Sequence, residues 1–172
     1  MLADIYKPEA WNSFFVMVGG GVAALTGLVF VSLSIALSLN LEEMTKDATH
    51  KYRSINTLAG LTAIFVTCGL VLLPGQNHDA VGIELLTLAA AGVTIYLYGF
   101  RQAFKYGSSP SKVRLVLGSC LYLAELIGAL VLLSGSLSGL YIAAVAIVVN
   151  MAFMISAAWL LVVSVYSAKV PE

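Results

Sequence analysis

Apolar residues in this chain come in long blocks, and polar residues gather between them. Five blocks stand out: Trp11–Leu39, Ser54–Leu73, Ala80–Phe100, Leu115–Leu133 and Leu140–Tyr166. Each is long and uniformly apolar beyond what an ordinary core helix needs. A hydrocarbon layer about 30 Å thick takes about 20 apolar residues of helix to cross. The pattern predicts five transmembrane helices in one all-α bundle, with residues 1–172 forming a single domain. The first and last blocks exceed the layer and are expected to tilt or to project into water.

The breaks between blocks have local causes. Pro74-Gly75 in "LLPGQNHD" is expected to stop the second helix, and "SGSLSG" to make a tight fourth connection. In "YGSSPSK", Ser109 is the expected N-cap of the fourth helix, with Pro110 at its first position. The second and fourth blocks share their surroundings. "KYRS" precedes one and "KVRL" the other; "GLVLLPG" ends one and "ALVLLSG" the other, about 60 residues later. This pattern reads as two parallel hairpin repeats with an added first helix.

Composition agrees with a membrane chain. It is 60% hydrophobic and 10% charged, against about 25% charged in soluble domains. The net charge is zero, which gives no reason to expect a nucleic-acid partner. The N-terminal "MLADIYKPEA" has one lysine against two acids, and the apolar run after it is too long for a secretory signal. Charge placement orients the chain. Lys46, Lys51, Arg53, Arg101, Lys105, Lys112, Arg114 and Lys169 fall on one side of a five-span frame, and only Lys7 on the other. Lys/Arg-rich short loops stay in the cytoplasm. The expected topology is N-terminus out and C-terminus in. Trp11, Phe14 and Tyr141 then mark the outer interface; Tyr52, Phe104, Tyr106, Trp159 and Tyr166 mark the inner one.

Small residues carry helix packing where no water is expelled. In the first block, Gly19, Ala23 and Gly27 recur at four-residue spacing, and Gly20, Ala24, Gly27, Ser34 and Ser38 form a neighbouring stripe. The stripes serve either packing within one chain or self-association of subunits. Cys68 and Cys120 differ in depth by roughly 13 Å at helical rise, too far for a disulfide, whose Cα atoms must lie within about 7 Å. Both are expected as free thiols.

One acid lies deep in a block. Glu125, in "YLAELIG", is near the midplane of the fourth span. A centred charge there costs about 2.5–3.5 kcal/mol, while the span's Leu, Ile and Val residues contribute about −3 to −6. The span still inserts, but its acid should not face lipid. Gly118, Tyr122, Glu125 and Ala129 share a helix face. On the fifth span, Ala143, Ala146, Asn150 and Ala157 share another, with Asn150 level with Glu125. The two faces are expected to meet, with Asn150 hydrogen-bonded to Glu125. In one reading Glu125 is a protonated structural acid tied to Asn150, Tyr122, or a hydroxyl of Thr62 or Thr67. In the other it is a proton- or cation-binding group on a pathway.

Other polar groups point to less. Glu84, one turn into the third span, is expected to reach water in a solvated turn; with His78 and Asp79 it forms the one conceivable metal cluster, and no metal or cofactor is expected. "LEEMTKDATHKYR" offers Glu42–Lys46 and Asp47–Lys51 pairs and reads as an exposed helical extension of the first span. It could serve as a docking surface, beside basic groups that favour anionic lipid headgroups. The chain has no HExxH, no GxSxG and no phosphate-binding glycine loop. Ser109–Lys112 matches SxxK without companion motifs. Neither histidine lies at mid-membrane depth, which argues against haem ligation. The expected class is therefore non-enzymatic: an interaction or regulatory membrane protein. The alternative is an oligomeric ion or proton channel or transporter with Glu125 on the pathway.

Three stretches taken together, "AALTGLVFVSLSIAL", "LLPGQNHDAVGIELL" and "GLYIAAVAIVVN…AAWLLVV", resemble a bacterial family of small five-span integral membrane proteins, some of which are labelled "modulator of FtsH protease". The likeness covers most of the chain. It implies a helical membrane fold and, through the label, a membrane protease complex as partner, met by the cytoplasmic extension and loops. It implies no catalytic or ligand residues.

Overall fold

The computed structural model describes residues 9–38, 48–105 and 111–167. They form five α-helices: α1 (Glu9–Ser38), α2 (Ala48–Val71), α3 (His78–Lys105), α4 (Lys112–Leu133) and α5 (Ser138–Ser167). All five are long and apolar enough to cross a membrane, and no strand occurs among the described residues. The chain has a multi-pass, all-α membrane fold.

The helix ends differ from expectation where capping or turn chemistry acts. α3 starts at His78 rather than Ala80 because Asn77 caps it: the Ala80 N–H donates to Asn77 Oδ1 at 2.8 Å. α4 starts at Lys112, after Ser111, whose side chain makes no capping hydrogen bond. The expected N-cap at Ser109 and helical Pro110 lie outside the described residues. α2 begins at Ala48, so residues 48–53 belong to it and not to an extension of the first span. The remainder of that expected extension, including Glu42, Lys46 and Asp47, lies outside the described residues.

Both hairpin turns use one device. Gly75 and Gly135 have φ of 78° and 85°, a left-handed conformation that costs other residues about 1–2 kcal/mol. These are matching glycines of "GLVLLPG" and "ALVLLSG". The helices that follow begin three residues later in each case, at His78 and Ser138. The two hairpins thus share a left-handed glycine at one distance before the next helix, although α2 ends four residues before Gly75 and α4 two before Gly135.

α2, α3, α4 and α5 pack in sequence and close into a ring through an α2–α5 contact; α1 lies outside it, against α2 and α5. The contact between α1, α2 and α5 is a shared core of Phe15, Val18, Val22, Leu61, Ile64, Cys68, Ile147 and Met154. At one end, the Trp11 ring meets Tyr141 edge-on at 4.7 Å and Phe14 at 5.9 Å, which brings the three expected outer-interface aromatics together. Exposed hydroxyls in the spans donate to carbonyls one turn back, as Ser34 does to Phe30 at 2.9 Å and Thr94 to Ala90 at 2.8 Å. That satisfies them where no water is present.

The α1 stripes are not the face that packs within the chain. Of the five proposed packing residues only Gly19 is buried, where an added Cβ would lie 3.1 Å from Cys68 Cβ. Gly20, Ala23, Ala24 and Gly27 are exposed, and Cβ atoms at Gly20 and Gly27 would meet nothing within 4 Å. The larger residues Phe15, Val18, Val22 and Val29 form the contact face instead. Cys68 and Cys120 are free thiols, the first buried and the second exposed.

Candidate functional site

Small residues bring α4 and α5 together along one face. Gly118, Tyr122, Gly128, Ala129 and Leu132 are buried on α4; Ala143, Ala146, Asn150 and Ala157 are buried on α5. Toward the α4–α5 turn the backbones touch. A Cβ on Gly128 would sit 2.7 Å from Ala143 N, and one on Gly139 would overlap the Leu132 backbone. No side chain fits between the helices at that end.

Glu125 lies at the middle of this contact. Asn150 Nδ2 donates to its Oε1 at 2.9 Å, and Asn150 is 1% exposed. Asn150 is the expected partner, but only part of the expected α4 face meets α5: Gly118 and Tyr122 face Tyr96 and Gly92 of α3. The two threonines considered as partners are placed elsewhere: Thr67 Oγ1 donates to Ala63 O at 2.8 Å, and Thr62 is exposed on α2. Asn150 Oδ1 is buried with no hydrogen-bond partner among the described residues.

A series of polar groups runs from this pair toward the start of α4. Tyr122 lies one turn before Glu125 on α4 and is buried. Its ring packs on Gly92, where an added Cβ would be 2.5 Å away, and lies 5.6 Å from the Tyr96 ring. Tyr96 donates to the Arg114 carbonyl at 2.5 Å, across Gly118, whose missing side chain leaves room for the phenol. The Arg114 guanidinium crosses to α5, donating to Ser156 Oγ at 3.2 Å and stacking 4.6 Å above the Phe153 ring. Sequence reasoning found Glu125, Asn150 and Tyr122 but missed Tyr96 and Arg114. The available signal was the pairing of a glycine on one helix with an aromatic on the next.

Beside this contact lies a groove of about 330 Å³ between α2 and α3. Its walls are Ala59, Gly60, Ala63 and Val66 on one side and Leu88, Ala91 and Ile95 on the other, with Tyr96 and Tyr122 below. Neither Glu125 nor Asn150 lines it. Gly60 opens space here in another way: its bare Cα receives Met154 of α5, which would be 2.6 Å from an added Cβ.

Near the α2–α3 turn, Glu84 is not a freely solvated acid. Gln76 Nε2 donates to its Oε1 at 2.7 Å, and Glu84 Oε2 is enclosed without a hydrogen-bond partner. His78 and Asp79 pair with each other at 3.2 Å. No group of three His, Cys, Asp or Glu residues that could hold a metal occurs among the described residues.

No protein-family profile, curated protein or solved structure matches this chain.

Proposed function

We propose that the protein is a non-enzymatic membrane component that acts by association, in an interaction or regulatory role. The observation that carries this reading is the placement of Glu125. Its carboxyl is engaged by Asn150 inside a close-packed interface, off the groove lining, and the α4–α5 backbones close together beyond it. An acid held this way sets the register of two helices in lipid, where a hydrogen bond has no competing water. The outward stripe of Gly20, Ala23, Ala24 and Gly27, unpacked within the chain, supports assembly with a second copy or a partner helix. The family resemblance adds a protease complex in the bacterial cell membrane as one such partner.

A second reading, proton or cation passage past Glu125 in an oligomer, draws on one feature. Asn150 Oδ1 lacks a partner at the head of the polar series that leads through Tyr122 and Tyr96 to Arg114.

Flux in proteoliposomes separates the readings. Purified full-length protein is reconstituted with an internal pH dye and tested under an imposed potential, beside Glu125→Gln and protein-free vesicles. The association reading expects both proteins to match empty vesicles. Proton or cation flux in the wild type that is lost in Glu125→Gln would overturn it.

A further inference from the structure

The α2–α3 groove has the shape and the polarity gradient of a lipid site. Small side chains line it, Ala59, Ala63 and Ala91 among them, while the room left at Gly60 and Gly92 is taken by Met154 and Tyr122. Thr62, Val66, Ala91 and Ile95 are exposed along its edges, so it opens sideways to the surroundings of the bundle. Its volume of about 330 Å³ is at the small end for ligand sites, about 300–1,000 Å³. Lined almost wholly by apolar side chains and open along one side, it suits a single flexible apolar chain.

What lies at its two ends selects the chain's headgroup. From Ala91 and Ile95 the same stripe of α3 continues through Tyr98, Gln102 and Lys105, all at three- or four-residue steps. Gln102 Nε2 donates to the Tyr98 hydroxyl at 2.8 Å, and Lys105 and Arg101 are exposed at this end. In the opposite direction, one turn beyond Leu88, the helix presents Glu84. A cationic end and an acidic end favour an anionic headgroup beside Lys105. The distance also fits. From Tyr98, at the level proposed for the ester linkages, to Leu88 at the groove's far end is ten residues, about 15 Å along the helix, which is half of a hydrocarbon layer about 30 Å thick.

We propose that this groove binds one acyl chain of an anionic glycerophospholipid, with its phosphate held by Lys105 and Arg101. Tyr98 and Gln102 supply polar groups at the level of the ester linkages. The site does not depend on whether Glu125 serves association or transport.

Native mass spectrometry of the full chain, released from detergent with equimolar phosphatidylglycerol and phosphatidylcholine of matched acyl chains, tests this. The wild type should retain one phosphatidylglycerol in preference to phosphatidylcholine by about 30-fold, as two cations near a headgroup imply. Arg101→Gln with Lys105→Gln, both at the exposed surface, should abolish that preference while leaving the fold intact. Ala91→Leu, which extends into the groove, should reduce retention of both lipids; helical content by circular dichroism checks that it folds. Equal retention of the two lipids by the wild type would overturn the proposal. Phosphatidylglycerol retention unchanged in a folded Ala91→Leu protein would also overturn it, by leaving the groove to another occupant.

Discussion

Glu125 and Asn150 show how far a residue's depth and face can be read before its neighbours are known. Helical rise puts them level, and three- and four-residue spacings put each on a stripe of small groups. The contact then follows, since an acid surrounded by Leu and Val on its own helix must find its partner on another. What spacing does not reveal is which nearby polar group wins. Thr67 is committed to its own helix backbone, while the Asn150 amide has a donor free to cross. Asn150→Ala should lower stability by about 1–2 kcal/mol, combining a lost interhelical hydrogen bond with an acid left without its donor. Glu125→Gln keeps an acceptor for Asn150 and should cost less than half as much. Unfolding of each variant in mixed micelles, followed by tryptophan fluorescence, measures both. Equal midpoints for all three proteins would mean the bond does not hold these helices together.

Glycines decide where whole helices meet, but only some of them. The regular stripe on α1 was the more visible pattern in the sequence, yet the contact face of α1 is made by Phe15, Val18 and Val22. The glycines that matter within the chain are scattered: Gly60 receives Met154, Gly92 receives Tyr122, Gly118 receives the Tyr96 phenol, and Gly128 meets the α5 backbone. Each lies opposite a bulky group or a backbone on another helix, so its role is invisible until the helices are paired. Gly128→Ala should cost about 1–3 kcal/mol, because the new methyl meets backbone that cannot rotate away. Gly20→Ala, with open space around it, should be neutral or slightly stabilising through helix propensity. The same micelle unfolding assay compares them; similar losses would contradict this packing. The paired turn glycines allow a parallel test. Gly75→Ala and Gly135→Ala should each lose about 1–2 kcal/mol, since both require positive φ, whereas loss at one turn alone would show that the two hairpins are not mechanically alike.

At the scale of the molecule, five helices form a closed ring of four with one helix outside it. An odd number of crossings separates the chain ends, and the Lys/Arg distribution predicts which end is cytoplasmic. A cysteine added at either terminus of a chain carrying Cys68→Ala and Cys120→Ala should give opposite results with a membrane-impermeant maleimide in intact cells: labelled at the N-terminus, protected at the C-terminus. The reverse pattern would invert the orientation, and labelling of both ends would contradict five crossings.

The sequence by itself determined the solvent and the number of helices, because crossing a hydrocarbon layer sets a length and an apolar content that local residues alone must meet. It also determined the two hairpin turns, whose Gly75 and Gly135 act through their own backbone, and the level and facing of Glu125, which follow from one helix's geometry. The ends of α3 and α4 were less legible, since a cap such as Asn77 competes with several other polar residues nearby. Only the tertiary structure decided which small residues are contacts and which are surface, that Tyr96 reaches Arg114 over Gly118, and that α2 and α3 leave a groove between them. Those features belong to pairs of helices. In lipid, where apolar residues are at home on either face, composition along one helix does not say which face its neighbour will take.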